Sequence, residues 1–187
     1  MSKGNLSMSS SLAFARSRIR VFGLFFLLLV QPAMATEDTL PRPVSLTPLD
    51  ATQEVLRVAG EQGDKSYSLS RIEALGLYRV NTTTFWPEDD GTYEGVLLAD
   101  LLADAGLSEA SAIRILALDG FSQVMPREDW ERWPVLLATR RDGRPMGVRD
   151  KGPLRIIYPR DADPRLSDSV YRLRWVWLID TIEKVEP

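Results

Sequence analysis

Residues 78–106 read YRVNTTTFWPEDDGTYEGVLLADLLADAG. The first part is rich in β-branched and aromatic residues, which predicts a strand. Trp86-Pro87 interrupts this strand, and the acidic run Glu88-Asp89-Asp90 that follows is interpreted as a solvated loop. The apolar residues of 97–105 recur on one face of a 3.6-residue period, and Gly106 stands where a left-handed cap ends a helix. The stretch predicts a strand, a polar loop and a short helix, which is either a frame for a pocket loop or an ordinary connection.

The rest of the chain predicts short strands with few helices. Asp119-Gly120 is a strong two-residue hairpin signal between two apolar runs. Ser70 and Glu73 have the spacing of a capping box, which predicts a helix that begins there. Further strands are predicted at 55–60, 135–140 and 154–158, a helical turn at 126–133, and a short helix or bend followed by a final strand within 170–185. We therefore expect one α+β domain with a mostly antiparallel or mixed sheet and short helices.

The first 35 residues have the pattern of a secretory signal peptide. Four basic residues precede the apolar run 21–30, which is too short to cross a membrane, and Ala33-Met34-Ala35 is a small-x-small cleavage site. We expect cleavage after Ala35 and a periplasmic product without a membrane span; an uncleaved N-terminal anchor is the alternative. The predicted organisation is a signal peptide (1–35), a proline-containing extended segment (36–49) and one domain (50–187).

Charge and composition exclude several classes of function. The chain has 23 basic and 26 acidic residues, and because all four charges of 1–35 are basic, the cleaved chain keeps 19 basic residues and a net charge of −7. An acidic chain without a basic cluster is not typical of nucleic-acid binding. The chain also contains no Cys and no His. This composition excludes disulfides, Ser-His-Asp and Cys-His nucleophiles, and imidazole or thiolate metal ligands.

Four segments, taken together and in order, form a pattern that is specific enough to compare with a known family. They are YEGVLLADLLADAG (93–106), ALDGFSQVMPRED (117–129), VLLATRRDGRPMGVRDKGPLRIIYP (135–159) and RWVWLIDTIEKV (174–185). In this order they resemble the sulfite-oxidase-like molybdopterin-binding domain family. Each segment alone is unspecific, but together they span roughly 50–187 and make the resemblance fairly specific. The resemblance implies a sulfite-oxidase-type α+β fold, molybdopterin as the cofactor and an oxidoreductase activity.

One region departs from the family pattern. Catalytic members bind molybdenum through a Cys thiolate just before the helix of the first segment, where this sequence has NTTTFW at 81–86. Threonine hydroxyls are hard groups that substitute poorly for a soft thiolate. Family members have a Lys near the closing segment that helps to hold the cofactor phosphate. In this sequence Arg172 or Arg174 is the candidate replacement for that Lys. The resemblance thus implies the fold, whereas it does not extend to molybdenum ligation or oxygen-atom transfer.

Nine residues are candidates for ligand or cofactor binding, and six of them lie near the central stretch or the hairpin. Trp86 either stacks on a planar ligand or packs at a loop rim. Asp119 either forms only the hairpin turn or also lines a pocket rim. The other four either line the pocket and hydrogen-bond an oxyanion or the pterin, or turn their polar groups to water: Asn81, Thr82, Thr83 and Thr84.

The other three candidates are arginines. Arg155 lies in the middle of a predicted strand and points away from its apolar neighbours, so it either pairs with a buried carboxylate or offers a fork to an anionic ligand. Arg172 and Arg174 share a face if the chain is extended there, which suits either a phosphate or dicarboxylate ligand or a solvated surface. Packing, rather than chemistry, is the expected role of Trp130, Trp133, Trp175 and Trp177.

Three functions are compatible with these observations. The first is an exported, non-redox binding or sensor-accessory module, which binds a small anionic ligand or a periplasmic partner protein. The second is a molybdopterin-dependent oxidoreductase that holds the metal through non-thiolate groups. The third is an accessory subunit of a periplasmic redox complex. The absence of Cys and His favours the first and third functions, and no catalytic residue is assigned.

Overall fold

The computed structural model describes residues 39–60 and 63–185. The predicted signal peptide (1–35) lies outside the described residues. Within them, no helix is both long and apolar enough to span a membrane.

Short strands dominate the described residues. The strands are β1 (Arg42–Pro43), β2 (Glu54–Ala59), β3 (Lys65–Ser68), β4 (Tyr78–Thr82), β5 (Gly91–Leu97), β6 (Ala112–Ala117), β7 (Ser122–Pro126), β8 (Leu136–Arg141), β9 (Arg144–Pro145), β10 (Arg155–Ile157) and β11 (Ile179–Lys184). The helices are α1 (Leu69–Glu73), α2 (Leu98–Ala105), α3 (Arg127–Arg132) and α4 (Ser169–Arg172). The predicted α+β composition, with short helices, is confirmed.

The strands form two sheets. The first has the order β1-β4-β5-β8-β10, with β9 also paired to β8, and the second has the order β3-β2-β11-β6-β7. Every named strand pair in the described residues is antiparallel except β2 with β11, which is parallel. The prediction of a mostly antiparallel arrangement is confirmed. The chain closes as expected, with α4 followed by the final strand β11.

Helix α2 follows the periodicity of its sequence. Leu98, Leu101, Leu102 and Ala105 form its buried face. The helix ends at Gly106, which has a φ of 81° and whose N–H donates to backbone carbonyls of the last turn. Only glycine adopts this left-handed conformation without steric cost, so the predicted cap is confirmed.

Helix α1 begins two residues earlier than its capping-box signal indicated. Ser68, rather than Ser70, is the N-cap, and its Oγ accepts a hydrogen bond from the N–H of Arg71. Glu73 does not reach back to the start of the helix. Its carboxylate is buried and accepts two hydrogen bonds from Arg140, at 2.6 and 2.9 Å, on β8. The Glu73 carboxylate, which the local pattern assigned to helix capping, therefore forms a long-range ion pair with Arg140 instead.

The segment predicted to be extended, 36–49, packs on the first sheet in its described part. Its strand β1 pairs with β4. The N–H of Leu49 donates to Oε2 of Glu73 (2.7 Å), and Nη2 of Arg140 donates to the carbonyl of Thr47 (2.8 Å). The buried Glu73–Arg140 pair thus fixes this segment to both α1 and β8.

The chain after α4 runs along the edge strand β10. Trp177 forms an isolated antiparallel bridge with Arg155, and the N–H of Ile156 donates to the carbonyl of Val176 (2.8 Å). The same chain then enters β11 of the second sheet. This crossing brings the tryptophans of the closing segment beside the loop that follows β4.

Candidate functional site

A cleft of about 420 Å³ lies where three loop segments meet. The segments are the loop after β4, the turn between β6 and β7, and the connection from α4 to β11. The residues that line the cleft are Trp86, Asp119, Phe121, Arg172, Leu173, Trp175, Val176 and Trp177. Its walls are therefore mainly apolar, half of the lining residues are aromatic, and the two charged lining residues have opposite signs.

Trp86 and Trp177 form one wall of the cleft. Their ring centroids lie 5.0 Å apart with an interplanar angle of 77°, an edge-to-face contact. Thr84 holds Trp86 in place, because its Oγ1 donates to the carbonyl of Trp86 (2.7 Å) and accepts from the N–H of the same residue (3.0 Å). The N–H of Thr84 in turn donates to Oδ1 of Asp90 (2.6 Å). The loop after β4 is thus a hydrogen-bonded turn that presents its indole in a fixed position.

Three cations surround this pair of indoles. Nζ of Lys151 lies 5.5 Å from the ring centroid of Trp86 and 5.0 Å from that of Trp177. Cζ of Arg172 lies 5.6 Å from the ring of Trp86, and Cζ of Arg155 lies 5.7 Å from the ring of Trp177. These distances are within the range of cation–π contacts. The Trp86–Trp177 wall therefore lies in a positive electrostatic environment.

Asp89 holds two of these cations, which corrects the interpretation of the acidic run 88–90 as a solvated loop. Asp89 is 5% exposed. Its Oδ2 accepts a 2.6 Å hydrogen bond from Nη2 of Arg155 and another from Nζ of Lys151. Nη1 of Arg141 lies 3.7 Å from its Oδ1. The 3₁₀ turn at Pro87–Asp89 moves this carboxylate inwards, while Glu88 and Asp90 stay exposed.

The surroundings keep Asp89 ionised. Burial raises the pKa of its carboxyl, but the hydrogen bonds and positive charges of Lys151 and Arg155 lower it more, so the pKa lies below the usual value of 3.8. The Arg155 guanidinium, which is fully buried, also donates to the hydroxyl of Tyr93 (3.2 Å). Of the two alternatives for Arg155, the structure shows the buried ion pair.

The three threonines bind protein groups. Oγ1 of Thr82 accepts from the N–H of Arg160 (3.0 Å) and donates to the carbonyl of Thr83 (3.2 Å). Oγ1 of Thr83 accepts from Nη1 of Arg160 (3.0 Å) and donates to Oδ1 of Asp161 (2.5 Å). With the pairing of Thr84 to Trp86, each of the three hydroxyls has both a donor and an acceptor within the chain. The threonines therefore fasten the loop after β4 and do not line the cleft.

The candidates Asn81 and Asp119 line two different pockets. Asn81 is exposed, donates from Nδ2 to Oγ1 of Thr92 (3.1 Å), and lines a different pocket beside β1. Asp119 is exposed and accepts from the N–H of Phe121 (3.0 Å) in the β6–β7 turn, where Gly120 has a φ of 85°. Because Asp119 also lines the cleft, it combines the turn and the rim that were considered as alternatives.

Arg172 and Arg174 do not share a face, which corrects the expectation for an extended chain. Arg172 is the last residue of α4, and the chain turns immediately afterwards, with the N–H of Arg174 donating to the carbonyl of Tyr171 (2.9 Å). Nη1 of Arg174 lies 2.8 Å from both carboxylate oxygens of Asp129. Arg172 remains exposed at the cleft. The helical turn thus sends the two side chains to different surroundings.

Three of the nine candidates consequently meet in the cleft: Trp86, Asp119 and Arg172. The sequence interpretation did not identify Phe121, Leu173 and Val176 as lining residues. The expected packing role is confirmed for Trp175, which is 1% exposed in the core, whereas Trp177 is only partly buried and lines the cleft. Their spacing at i and i+2 in RWVW would have placed both on one side of an extended segment. Phe121, which is 41% exposed directly after the hairpin turn, gave no local signal of a cleft.

Comparisons with known proteins agree with this fold. The sequence model of the oxidoreductase molybdopterin binding domain matches residues 52–175. A search of curated proteins finds no match. A similar solved structure is the sulfane dehydrogenase SoxCD from Paracoccus pantotrophus, with a TM-score of 0.52 and 15% identity over 78% of this chain. The match covers 40% of the SoxCD chain, and at such low identity the likeness shows the fold alone. By the family match over most of its length, the chain belongs to the oxidoreductase molybdopterin-binding domain family.

Proposed function

We propose that this protein is an exported, non-redox binding module that uses a molybdopterin-domain fold to hold a small anionic ligand. The observation that carries the proposal is that the hydroxyls of Thr82, Thr83 and Thr84 each donate and accept a hydrogen bond within the chain. These residues stand where the family resemblance places the metal-binding thiolate. Each hydroxyl gives its only proton and one of its two lone pairs to the loop, so it remains a neutral, weak ligand that is held in place by protein groups.

The residues present do not fit a thiolate-bound molybdenum centre. The sequence contains no Cys or His, and the described residues contain no group of three or more Asp or Glu side chains that could jointly hold a metal ion. A hard, neutral hydroxyl is a poor substitute for the soft, anionic thiolate through which catalytic members of the family bind the metal. We therefore derive no oxygen-atom transfer step for this chain.

The cleft supports binding in place of redox chemistry. Its volume of about 420 Å³ lies within the range of about 300–1,000 Å³ that is typical of small-molecule sites. Most of its lining is apolar or aromatic, and Arg172 and Asp119 supply a small number of polar groups. Arg172 is exposed and has no carboxylate partner in the described part of the chain, so its guanidinium is free to bind an anion.

Export rests on the N-terminal sequence pattern. The basic residues, the apolar run 21–30 and the Ala33-Met34-Ala35 site are those of a cleaved signal peptide. N-terminal sequencing of protein from the periplasmic fraction should therefore begin at Thr36. A chain that still begins with residues before Ala35 would contradict cleavage.

Elemental analysis combined with pterin fluorescence tests the absence of molybdenum chemistry. Protein is purified from the periplasm of a host that makes molybdopterin, together with the variant Thr83→Cys. We expect neither metal nor pterin in the wild type, and no molybdenum in the variant, because residue 83 faces Asp161 and Arg160. Molybdenum near one atom per wild-type chain would overturn the proposal.

A further inference from the structure

We propose that the ligand of the cleft is a planar aromatic monoanion, whose ring stacks on the aromatic walls and whose carboxylate is bound by Arg172. The inference rests on the proposed binding function and specifies its ligand class. It is carried by the shape of the walls, by the distribution of charge around them and by the contrast between Arg172 and Arg174.

The walls favour a flat, unsaturated ring system. Trp86, Trp177 and Phe121 line the same cleft, and Trp175, which is 1% exposed, borders it from the core. Trp86 and Trp177 are already fixed edge to face, so a ligand ring meets a preformed surface and not a flexible one. Aromatic rings pair favourably with one another in offset-stacked and edge-to-face arrangements. A saturated ring gains free energy only from the burial of its apolar surface. A planar ring therefore has an advantage over a saturated ring of similar size.

The charges around the indoles favour an anion. Lys151, Arg155 and Arg172 all lie within 6 Å of the ring of Trp86 or Trp177. Asp89 is the carboxylate that pairs with the first two, so the group keeps an excess of positive charge. Of the three cations only Arg172 lines the cleft, while Lys151 and Arg155 lie beside its indole wall, and a bound anion would offset their shared positive charge. The positive charges around this wall of the cleft therefore favour the binding of an anionic ligand.

The contrast between two nearby arginines identifies the binding group. Arg174 is neutralised by Asp129, with both carboxylate oxygens at 2.8 Å. Arg172 lines the cleft, is exposed and has no carboxylate partner among the described residues. A guanidinium offers a planar fork that matches a carboxylate. Arg172 is therefore the residue that would bind the acid group.

Asp119 limits the charge of the ligand. It is an exposed carboxylate that lines the same cleft as Arg172. A second negative charge on the ligand would be repelled by it, while an N–H or O–H substituent could donate to it. One acid group on an aromatic ring satisfies the cleft better than a dianion such as inorganic phosphate.

Isothermal titration calorimetry on the purified protein tests the inference with four probes. The probes are 2-naphthoate, neutral 2-naphthamide, the saturated decahydronaphthalene-2-carboxylate and inorganic phosphate. We expect 2-naphthoate to bind, the amide and the saturated acid to bind at least tenfold more weakly, and phosphate to give no binding heat. The amide removes only the charge and the saturated acid removes only the planar ring, whereas phosphate removes both the ring and the monoanionic character.

Matched variants assign the binding to the cleft. Arg172→Gln should weaken 2-naphthoate binding at least tenfold, whereas Arg144→Gln should leave it unchanged, since Arg144 is an exposed arginine at a separate pocket. Phe121→Ala should weaken binding several-fold, and Val124→Ala, an exposed apolar residue of the same hairpin outside the cleft, should not. All four positions are exposed, so folding can be verified by circular dichroism.

Several results would overturn the inference. Equal affinity for 2-naphthoate and its amide would remove the role of the charge, and equal affinity for the saturated acid would remove the role of the ring. Full affinity in Arg172→Gln would place the acid group elsewhere. Binding of none of the probes, as expected if an apolar segment of a partner protein fills the cleft, would also overturn it. In that last case, the proposal of a non-redox protein would still be supported if elemental analysis and pterin fluorescence detected neither metal nor pterin.

Discussion

Nη2 of Arg155 lies 2.6 Å from Oδ2 of Asp89, and both side chains are buried. The hydrogen bond joins the edge strand β10 to the 3₁₀ turn that follows Trp86. Lys151 binds the same carboxylate oxygen and also lies against the rings of Trp86 and Trp177. One buried carboxylate therefore fixes the position of two of the three cations around the cleft wall.

Substitution of this carboxylate should destabilise the protein. In Asp89→Asn the cations Arg155 and Lys151 lose their charged partner, and removing one member of a buried ion pair costs about 3–5 kcal/mol. Urea unfolding measures the change in the free energy of unfolding. The control is Glu88→Gln, which removes an exposed neighbouring charge and should change stability by less than about 0.5 kcal/mol. Equal stability of the two variants would contradict the role given to Asp89.

Stability should fall in acid because two buried carboxyl groups have lowered pKa values. For Glu73, burial raises the pKa, but hydrogen bonds from Arg140, Thr139 and the N–H of Leu49 lower it more, to below the usual 4.5. Asp89 likewise lies below 3.8. Because the folded state holds these groups ionised, it binds fewer protons than the unfolded state. Their contribution is fully present above about pH 5 and is lost as the pH falls through the unfolded and then the folded pKa values.

Urea unfolding between pH 7 and pH 3 tests this dependence. The free energy of unfolding of the wild type should decrease below about pH 5. The Asp89→Asn variant should lose less over the same range, because one of the two groups no longer titrates. Identical losses in the wild type and the variant would mean that Asp89 does not contribute to the acid sensitivity.

Gly95 in β5 should not tolerate a side chain. A Cβ at this position would lie 2.2 Å from the carbonyl oxygen of Leu137 and 2.5 Å from Cα of Ala138, at the register shift between β5 and β8. Gly95→Ala should therefore destabilise the protein by about 1–3 kcal/mol or more through overpacking. At Gly91 of the same strand, the nearest atom would be 3.4 Å away, in the side chain of Arg141. Thermal unfolding should show a clear loss for Gly95→Ala and a small change for Gly91→Ala; the reverse order would contradict the register.

Arg174 should affect stability without affecting the ligand. Arg174→Ala leaves the buried carboxylate of Asp129 without its cation, which costs about 3 kcal/mol for a buried pair. Since Arg174 does not line the cleft, the affinity for 2-naphthoate should equal that of the wild type. Thermal unfolding measures the loss of stability, and titration calorimetry below the unfolding temperature of the variant measures the affinity. A weakened affinity in the folded variant would show that Arg174 acts at the binding site.

Local patterns predicted most of the elements but not the pairing of charged side chains. The hairpin at Asp119-Gly120 and the end of α2 at Gly106 depend on backbone conformations that a few adjacent residues specify. The cap of α1 was wrong by two residues because Glu73 pairs with Arg140, which lies far away in the sequence. Asp89 was assigned to solvent for the same reason, since its partners come from 151 and 155.

The strands β3 and β5 were not predicted, but the sequence by itself determined the α+β class, most of the other strands and helices, the family and the absence of thiolate and imidazole ligands. These properties follow from hydrophobic periodicity, turn residues and composition, which are local or additive along the chain. Only the tertiary structure decided that Trp86 meets Trp177, and that Arg174 pairs with a carboxylate while Arg172 has no carboxylate partner among the described residues. Such contacts depend on where distant segments cross, as the bridge between Arg155 and Trp177 does, and no single segment contains that information.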